Sequence, residues 1–168
     1  MKKFKLSKHY ADLPLEFNNK IISKSHDIRI YKDAVLLTPG VWADSITNTD
    51  VLYRSDILSK YSTNWSSNYI DLQHSHHPLD MCGTVRFQRF NNGKLLGDLH
   101  IDMKLDAGKK IVPVIDSGLA NQLSIEMMTQ DFWDSHDMVR YAGEITFIGL
   151  AILGGPSHGA ACSDARIK

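Results

Sequence analysis

A serine, an imidazole and a carboxylate carried on three separate apolar runs are the parts from which a hydroxyl becomes nucleophilic at neutral pH. Ser124 lies in Leu119-Ala120-Asn121-Gln122-Leu123-Ser124-Ile125-Glu126-Met127, a strand-like run in which a small hydroxyl replaces a hydrophobic residue. His74 follows another such run, in Asp71-Leu72-Gln73-His74, and Gly143-Glu144-Ile145-Thr146-Phe147 supplies a third with a carboxylate. The order His, Ser, then a third group differs from the chymotrypsin, subtilisin and α/β-hydrolase triads. No Gly-x-Ser-x-Gly elbow surrounds Ser124 either, so those folds lose ground. Glu126 would share a strand face with Ser124, where it could tune a site or simply be solvated. The plainer readings are a strand serine on a wet face and, for Glu144, a surface carboxylate or a partner for Arg140.

Histidines 74, 76 and 77 raise a second chemistry, because imidazole is the commonest metal ligand. On a strand, His74-x-His76 would point both rings to one side, and Cys82 or His100 could supply a third ligand. The spacing matches no established zinc pattern, and His76-His77-Pro78 reads as a loop. The favoured reading has no metal and no cofactor. The alternative is a metal-binding hydrolase built on the His74/His76/His77 cluster, with His74, His76 and Cys82 as ligands.

The elements that must position these groups are mostly strands. Residues 28–37 read as one or two strands stopped by Thr38-Pro39-Gly40, and 69–73 and 84–90 as two more. Asn91-Asn92-Gly93-Lys94 is a hairpin signal, since Asn and Gly tolerate the positive φ of tight turns. In the returning run, 95–103, Leu99, Ile101 and Met103 alternate with Asp98, His100 and Asp102, which predicts one wet face. Runs 119–128 and 139–153 complete the strand set. Val51, Leu52, Ile57, Leu58 and Tyr61 predict an amphipathic helix over 50–61, with Asn48 or Thr49 as its cap. A second, shorter helix is expected over 106–117, with Ile111, Val114 and Ile115 inward and Pro113 limiting its regularity. Six to eight strands and one or two helices indicate a mostly β (α+β) domain, a barrel or sandwich with helices outside it. Residues 1–27 read as an N-terminal arm with room for partial order, and 28–168 as one domain.

Composition narrows the function classes. The 168 residues suit one domain with a sizeable core. Nineteen basic and nineteen acidic side chains cancel, so no global field draws the chain to nucleic acid or an anionic membrane. Two cysteines, Cys82 and Cys162, make neither a disulfide scaffold nor a cysteine-rich zinc module. Met1-Lys2-Lys3-Phe4-Lys5 has the charge of a signal peptide's first segment, but Lys8, His9 and Asp12 interrupt the apolar stretch that should follow. No apolar run reaches transmembrane length, and the expected setting is the inside of a cell.

The order of these features resembles the tailed-phage prohead maturation proteases. Leu36-Leu37-Thr38-Pro39-Gly40-Val41-Trp42, Ile70-Asp71-Leu72-Gln73-His74 and Cys82-Gly83-Thr84-Val85 look like the front half of that family. Asp116-Ser117-Gly118-Leu119, Leu123-Ser124-Ile125-Glu126, Glu144-Ile145-Thr146-Phe147, Gly155-Pro156 and Ala160-Ala161 look like the back half. The resemblance implies the fold of the herpesvirus assembly protease, a β-barrel ringed by a few α-helices. It also implies a serine endopeptidase that cleaves scaffold and capsid-protein segments, and itself, inside a procapsid in the host cytoplasm; the alternative on the same fold is a non-catalytic scaffold-associated domain, against which a serine and a histidine at the matching positions argue. Expected partners are the major capsid protein, the scaffolding protein and the portal, with no nucleic acid and no membrane. A homodimer is compatible with the relatives.

By position, the resemblance makes His74 the general base and Ser124 the nucleophile. Glu144 is the expected third member, with His158 as the competitor that would reproduce the herpesvirus second histidine. Gly154 and Gly155, in a Gly-Gly-Pro turn that is more often only a turn, are the oxyanion candidates. Two departures from the family stand out. The turn Pro156-Ser157-His158 is not the usual small apolar one. The chain also ends at Lys168, where many members continue, which suggests self-processing or shortening. Trp42, Phe132 and Trp133, in or beside the segments 42–48 and 131–137, could line subsites, although burial is the commoner role for such residues.

Overall fold

The computed structural model describes residues 7–14, 21–24, 27–44, 49–120 and 122–154. These form one ten-stranded mixed sheet with two α-helices, so the domain is mostly β. The strands are β1 (Ser7–Pro14), β2 (Ile21–Lys24), β3 (Ile28–Leu37), β4 (Gly40–Asp44), β5 (Thr49–Tyr53), β6 (Trp65–Leu72), β7 (Gly83–Asn91), β8 (Lys94–Asp102), β9 (Gln122–Asp134) and β10 (Val139–Leu153). The helices are α1 (Ser55–Tyr61) and α2 (Asp106–Asp116), with a 3-10 turn over Pro78–Asp80.

The ladder runs β1-β9-β10-β6-β7-β8-β3-β2, with β5 on β10 and β4 on β5. This path does not close on itself through hydrogen bonds among the described residues. Contact between β1 and β3 curls the sheet so that Leu36, Leu99, Ile101, Leu123, Ile125, Met127 and Phe147 pack in a common core. The expected barrel is therefore present as a curled, unclosed sheet.

The fifteen-residue β10 organises the molecule. Its long apolar run pairs with antiparallel β9 along one edge, and with parallel β5 and then parallel β6 along the other. Because β6 and β10 run in the same direction, their C-terminal ends lie side by side. Phe147 stacks on Trp65 at 5.0 Å and fixes the start of that parallel pair.

Several elements differ from the sequence reading. Residues 50–53 are strand: Val51 and Tyr53 are buried at a spacing of two and pair with β4, which outweighs the helical spacing that begins only at Ser55. The α1 cap is Arg54, which makes no side-chain capping hydrogen bond, not Asn48 or Thr49. Within residues 1–27, β1 adds to the edge of β9 and β2 to the edge of β3. Asp98 is buried, not wet, with the Arg89 guanidinium 3.5 Å away and the Asp33 amide donating to it at 3.1 Å. At the hairpin, Asn92 and Gly93 take φ of 49° and 72°, the left-handed pair that a two-residue turn needs. Helix α2 follows the expected bounds, burying Ile111, Val112 and Ile115 and keeping Pro113 on its exposed side. No helix among the described residues is long and apolar enough to cross a membrane.

Candidate active site

Register across β10 assembles the site. Ser124 of β9 and Asp71 of β6 both pair with Ala151, while Glu126 of β9 and Tyr69 of β6 both pair with Gly149. Two rows thus cross three strands, Ser124-Ala151-Asp71 and Glu126-Gly149-Tyr69. Residues two apart on a strand share a face, so the side chains of Ser124, Glu126, Asp71 and Tyr69 project on one side over a floor of alanine and glycine. Ser124, Glu126 and Asp71 are each 0% exposed, and buried polar groups of this kind must find partners or cost free energy.

Beyond Leu72 the chain turns sharply to bring His74 back over this face. Gln73, His74 and His76 have φ of 59°, 56° and 52°, a left-handed conformation that non-glycine residues enter at a cost of about 1–2 kcal/mol each. Local bonds hold the turn there. The Gln73 amide donates to the Ile152 carbonyl at 3.2 Å, and its side-chain amide donates to the Gly154 carbonyl at 3.2 Å. The Ser75 amide donates to the Leu72 carbonyl at 3.1 Å, and the His76 amide to Asp71 Oδ2 at 2.9 Å. Backbone strain concentrated in one turn is what a site that must aim a side chain requires.

The result is a carboxylate, that of Glu126, with two imidazoles and one phenol hydroxyl beside it. His74 Nδ1 lies 2.8 Å from Glu126 Oε1, and the Tyr69 hydroxyl donates to Glu126 Oε2 at 2.7 Å. His76 Nε2 is 3.5 Å from Glu126 Oε1, and His76 Nδ1 is 3.3 Å from the Tyr69 oxygen and 3.6 Å from Asp71 Oδ2. An ionised Glu126 accepts from Nδ1–H of His74 and so selects the tautomer whose Nε2 can take a proton. Ser124 Oγ has no hydrogen-bond partner among the described residues. The contact between Ser124 and His74 is therefore not made in this structure. In unliganded sites such contacts are often long and tighten only with substrate.

Burial, reinforced by the nearby Glu126 charge, raises the Asp71 carboxyl above its ordinary value, against the lowering effect of the His76 amide and the two imidazoles. A group raised in this way penalises the folded state when ionised. The penalty is complete above the raised pKa and disappears as pH falls below the unfolded value near 3.8. Asp71→Asn keeps an oxygen for the His76 amide and removes the charge. It is expected to raise the thermal midpoint in mildly alkaline buffer, by an amount that shrinks on acidification. Melting curves across pH check this, and a gain that grows towards acid would contradict it.

The sequence-derived candidates divide clearly. The structure brings His74 to the face of β9 that carries Ser124. Glu144 is exposed on β10 and paired with Gln130, seven residues from Ala151, roughly 23 Å along a strand at about 3.3 Å per residue. The carboxylate at His74 is that of Glu126. Gly154 sits beside the His74 turn, with its carbonyl bonded to Gln73. Gly155 and His158 lie outside the described residues. Phe132 and Trp133 are eight and nine residues along β9 from Ser124, roughly 26–30 Å at the same rise. Phe132 stacks on Tyr141 at 5.6 Å, and the Trp42 indole donates to the Thr38 carbonyl at 2.8 Å.

The metal alternative is also redrawn. Burial and the Asp71 charge push the Cys82 thiol up to about 12, so the thiolate that a metal needs is scarce at neutral pH. His77 Nδ1 accepts from the Leu79 amide at 3.2 Å and caps the 3-10 turn, and the His100 ring lies 6.1 Å from Phe87. Among the described residues the ligand atoms that converge, all within 4.8 Å of one another, belong to Asp71, His74 and Glu126.

Tyr69, Asp71 and Gly149 are the residues of this site to which the sequence reading gave no role. A glycine inside the apolar run Ile148-Gly149-Leu150 was the available signal, since strand glycine often marks a close approach by another group.

No protein-family model matches this chain, and no curated protein sequence matches it significantly. Among solved structures, the fold is similar to that of the bacteriophage T4 capsid assembly protease, gp21, with a TM-score of 0.62 over 92% of this chain and 100% of that one, at 13% sequence identity.

Proposed function

We propose that this chain is a serine endopeptidase of phage capsid maturation, with Ser124 as nucleophile, His74 as general base and Glu126 as the carboxylate that orients it. The observation that carries the reading is the His74–Glu126 bond made on the strand face of Ser124. The likeness in fold to a capsid assembly protease supports the substrate class. Scaffold and capsid-protein segments inside the assembling procapsid are the substrates this reading implies.

The chemistry follows from the geometry. His74 Nε2 takes the Ser124 proton as Oγ attacks the peptide carbonyl, and the imidazolium so formed is stabilised by Glu126. The tetrahedral intermediate collapses when Nε2–H is delivered to the leaving amine, which leaves an acyl-enzyme. His74 then deprotonates a water that attacks the ester, and the proton returns to Ser124. The backbone amides of Gly154 and Gly155 are the candidate oxyanion donors, each worth about 3–4 kcal/mol of barrier. Because Ser124 is buried, a peptide reaches it only when this face of β9 opens.

Purified protein treated with a serine-directed phosphonate should be labelled at Ser124, and cleavage of a scaffold or capsid-protein substrate should stop with labelling and survive a chelator. Loss of cleavage on chelation, with Ser124 unlabelled, would transfer the activity to a metal held by Asp71, His74 and Glu126.

A further inference from the structure

Glu126 and Tyr69 stand on strands that are not neighbours, since β10 separates them, yet their side chains meet at 2.7 Å. The bridge is possible because the residue between them in the row is Gly149. A Cβ placed on Gly149 would fall 2.7, 2.8 and 2.9 Å from three carbons of the Tyr69 ring, closer than side-chain carbons pack. The ring therefore lies flat across β10 in the space that any other residue would fill. Its hydroxyl donates to Oε2 of Glu126, while Oε1 lies against His74 Nδ1.

We infer that Tyr69, laid over Gly149, is a positioning residue that sets the rotation of the Glu126 carboxylate and through it the aim of His74. This rests on the peptidase reading of the site. Each bond to a carboxylate oxygen restricts rotation about the Cγ–Cδ bond, and the Tyr69 hydroxyl at Oε2 together with His74 at Oε1 favours the orientation that presents Oε1 to the imidazole. His76 completes the brace, with Nδ1 at 3.3 Å from the Tyr69 oxygen and the Asp71 carboxylate behind it. Small losses of aim are costly, because a misplacement of about 1 Å can cost about a hundredfold in rate.

Tyr69→Phe keeps the ring and its packing and removes only the hydroxyl. It should lower kcat about tenfold while KM stays within about twofold, the pattern of an interaction made for the transition state alone. Gly149→Ala should lower kcat about as much by displacing the ring, and the double variant should lose little more than either single one, since both break the same contact. Additive losses, or an unchanged kcat in Tyr69→Phe, would overturn the assignment.

A readout independent of turnover is the low-field proton resonance of an imidazole N–H bonded to a carboxylate, recorded in a Ser124→Ala background. Ser124→Ala/Glu126→Gln should abolish it, which assigns it to His74. Ser124→Ala/Tyr69→Phe should broaden it by exchange, and a sharp resonance there would refute the positioning role. If Ser124→Ala itself still cleaves, the peptidase reading fails, and the resonance still decides whether Tyr69 holds Glu126.

Discussion

Replacing Ser124 with alanine is expected to reduce peptide cleavage on the order of a millionfold, the effect of removing a nucleophile from a set of groups that act as a unit. The same change should leave the protein at least as stable. Ser124 Oγ is buried in β9 with no hydrogen-bond partner among the described residues, and an unsatisfied buried hydroxyl costs about 1–3 kcal/mol. Alanine removes that cost and loses only one atom from the packing, so a gain of about 1 kcal/mol should appear in the denaturant midpoint. The paired outcome is the informative one, because a purely structural serine would lose stability, not function, on truncation. Stability surrendered for activity at one residue is typical of functional sites. A Ser124→Ala protein that still cuts would move the nucleophile elsewhere, and one that unfolds more easily would mark Ser124 as a structural residue.

What was legible in the sequence was whatever depends on neighbours along the chain. The Asn92-Gly93 turn is written in its own residues, as are the alternating run of β8 and the 3.6-residue spacing of α2. The placement of Ser124 within a strand and of His74 just after one is legible for the same reason, since both are polar residues set in or beside apolar runs. Features that depend on register are not. The helical spacing over 50–61 competes with a two-residue spacing in 50–53 that gains meaning only once β4 and β10 lie alongside. Ser7–Pro14 has a mixed composition and forms a strand because the edge of β9 is available to pair with it. Asp98 alternates as a wet residue should, yet Arg89 and Asp33, from two other strands, enclose it. The carboxylate at His74 belongs to this second kind. Glu126 shares a face with Ser124 on any strand reading, but its selection over Glu144 follows from the rows that β6 and β9 form against β10, and no local pattern records them.

That selection leads to the second large effect. Glu126→Gln preserves shape and burial but presents His74 with a neutral amide, which stabilises an imidazolium poorly and can hold the wrong tautomer. Comparable losses of the acidic member in serine proteases lie near 10⁴-fold in kcat. The expectation here is a fall of about 10³ to 10⁴-fold, with KM little changed, because Glu126 is 0% exposed and bonded to both His74 and Tyr69. Glu144→Gln, by contrast, alters an exposed side chain far along β10 and should leave kcat within about twofold, as surface substitutions usually do. The two substitutions are chemically identical, so the difference between them isolates position. Single-turnover cleavage of one capsid-derived peptide by both variants measures it. A large loss in Glu144→Gln with none in Glu126→Gln would mean that the working enzyme rearranges β10 against β9, and the rows on which this site is built would have to be redrawn.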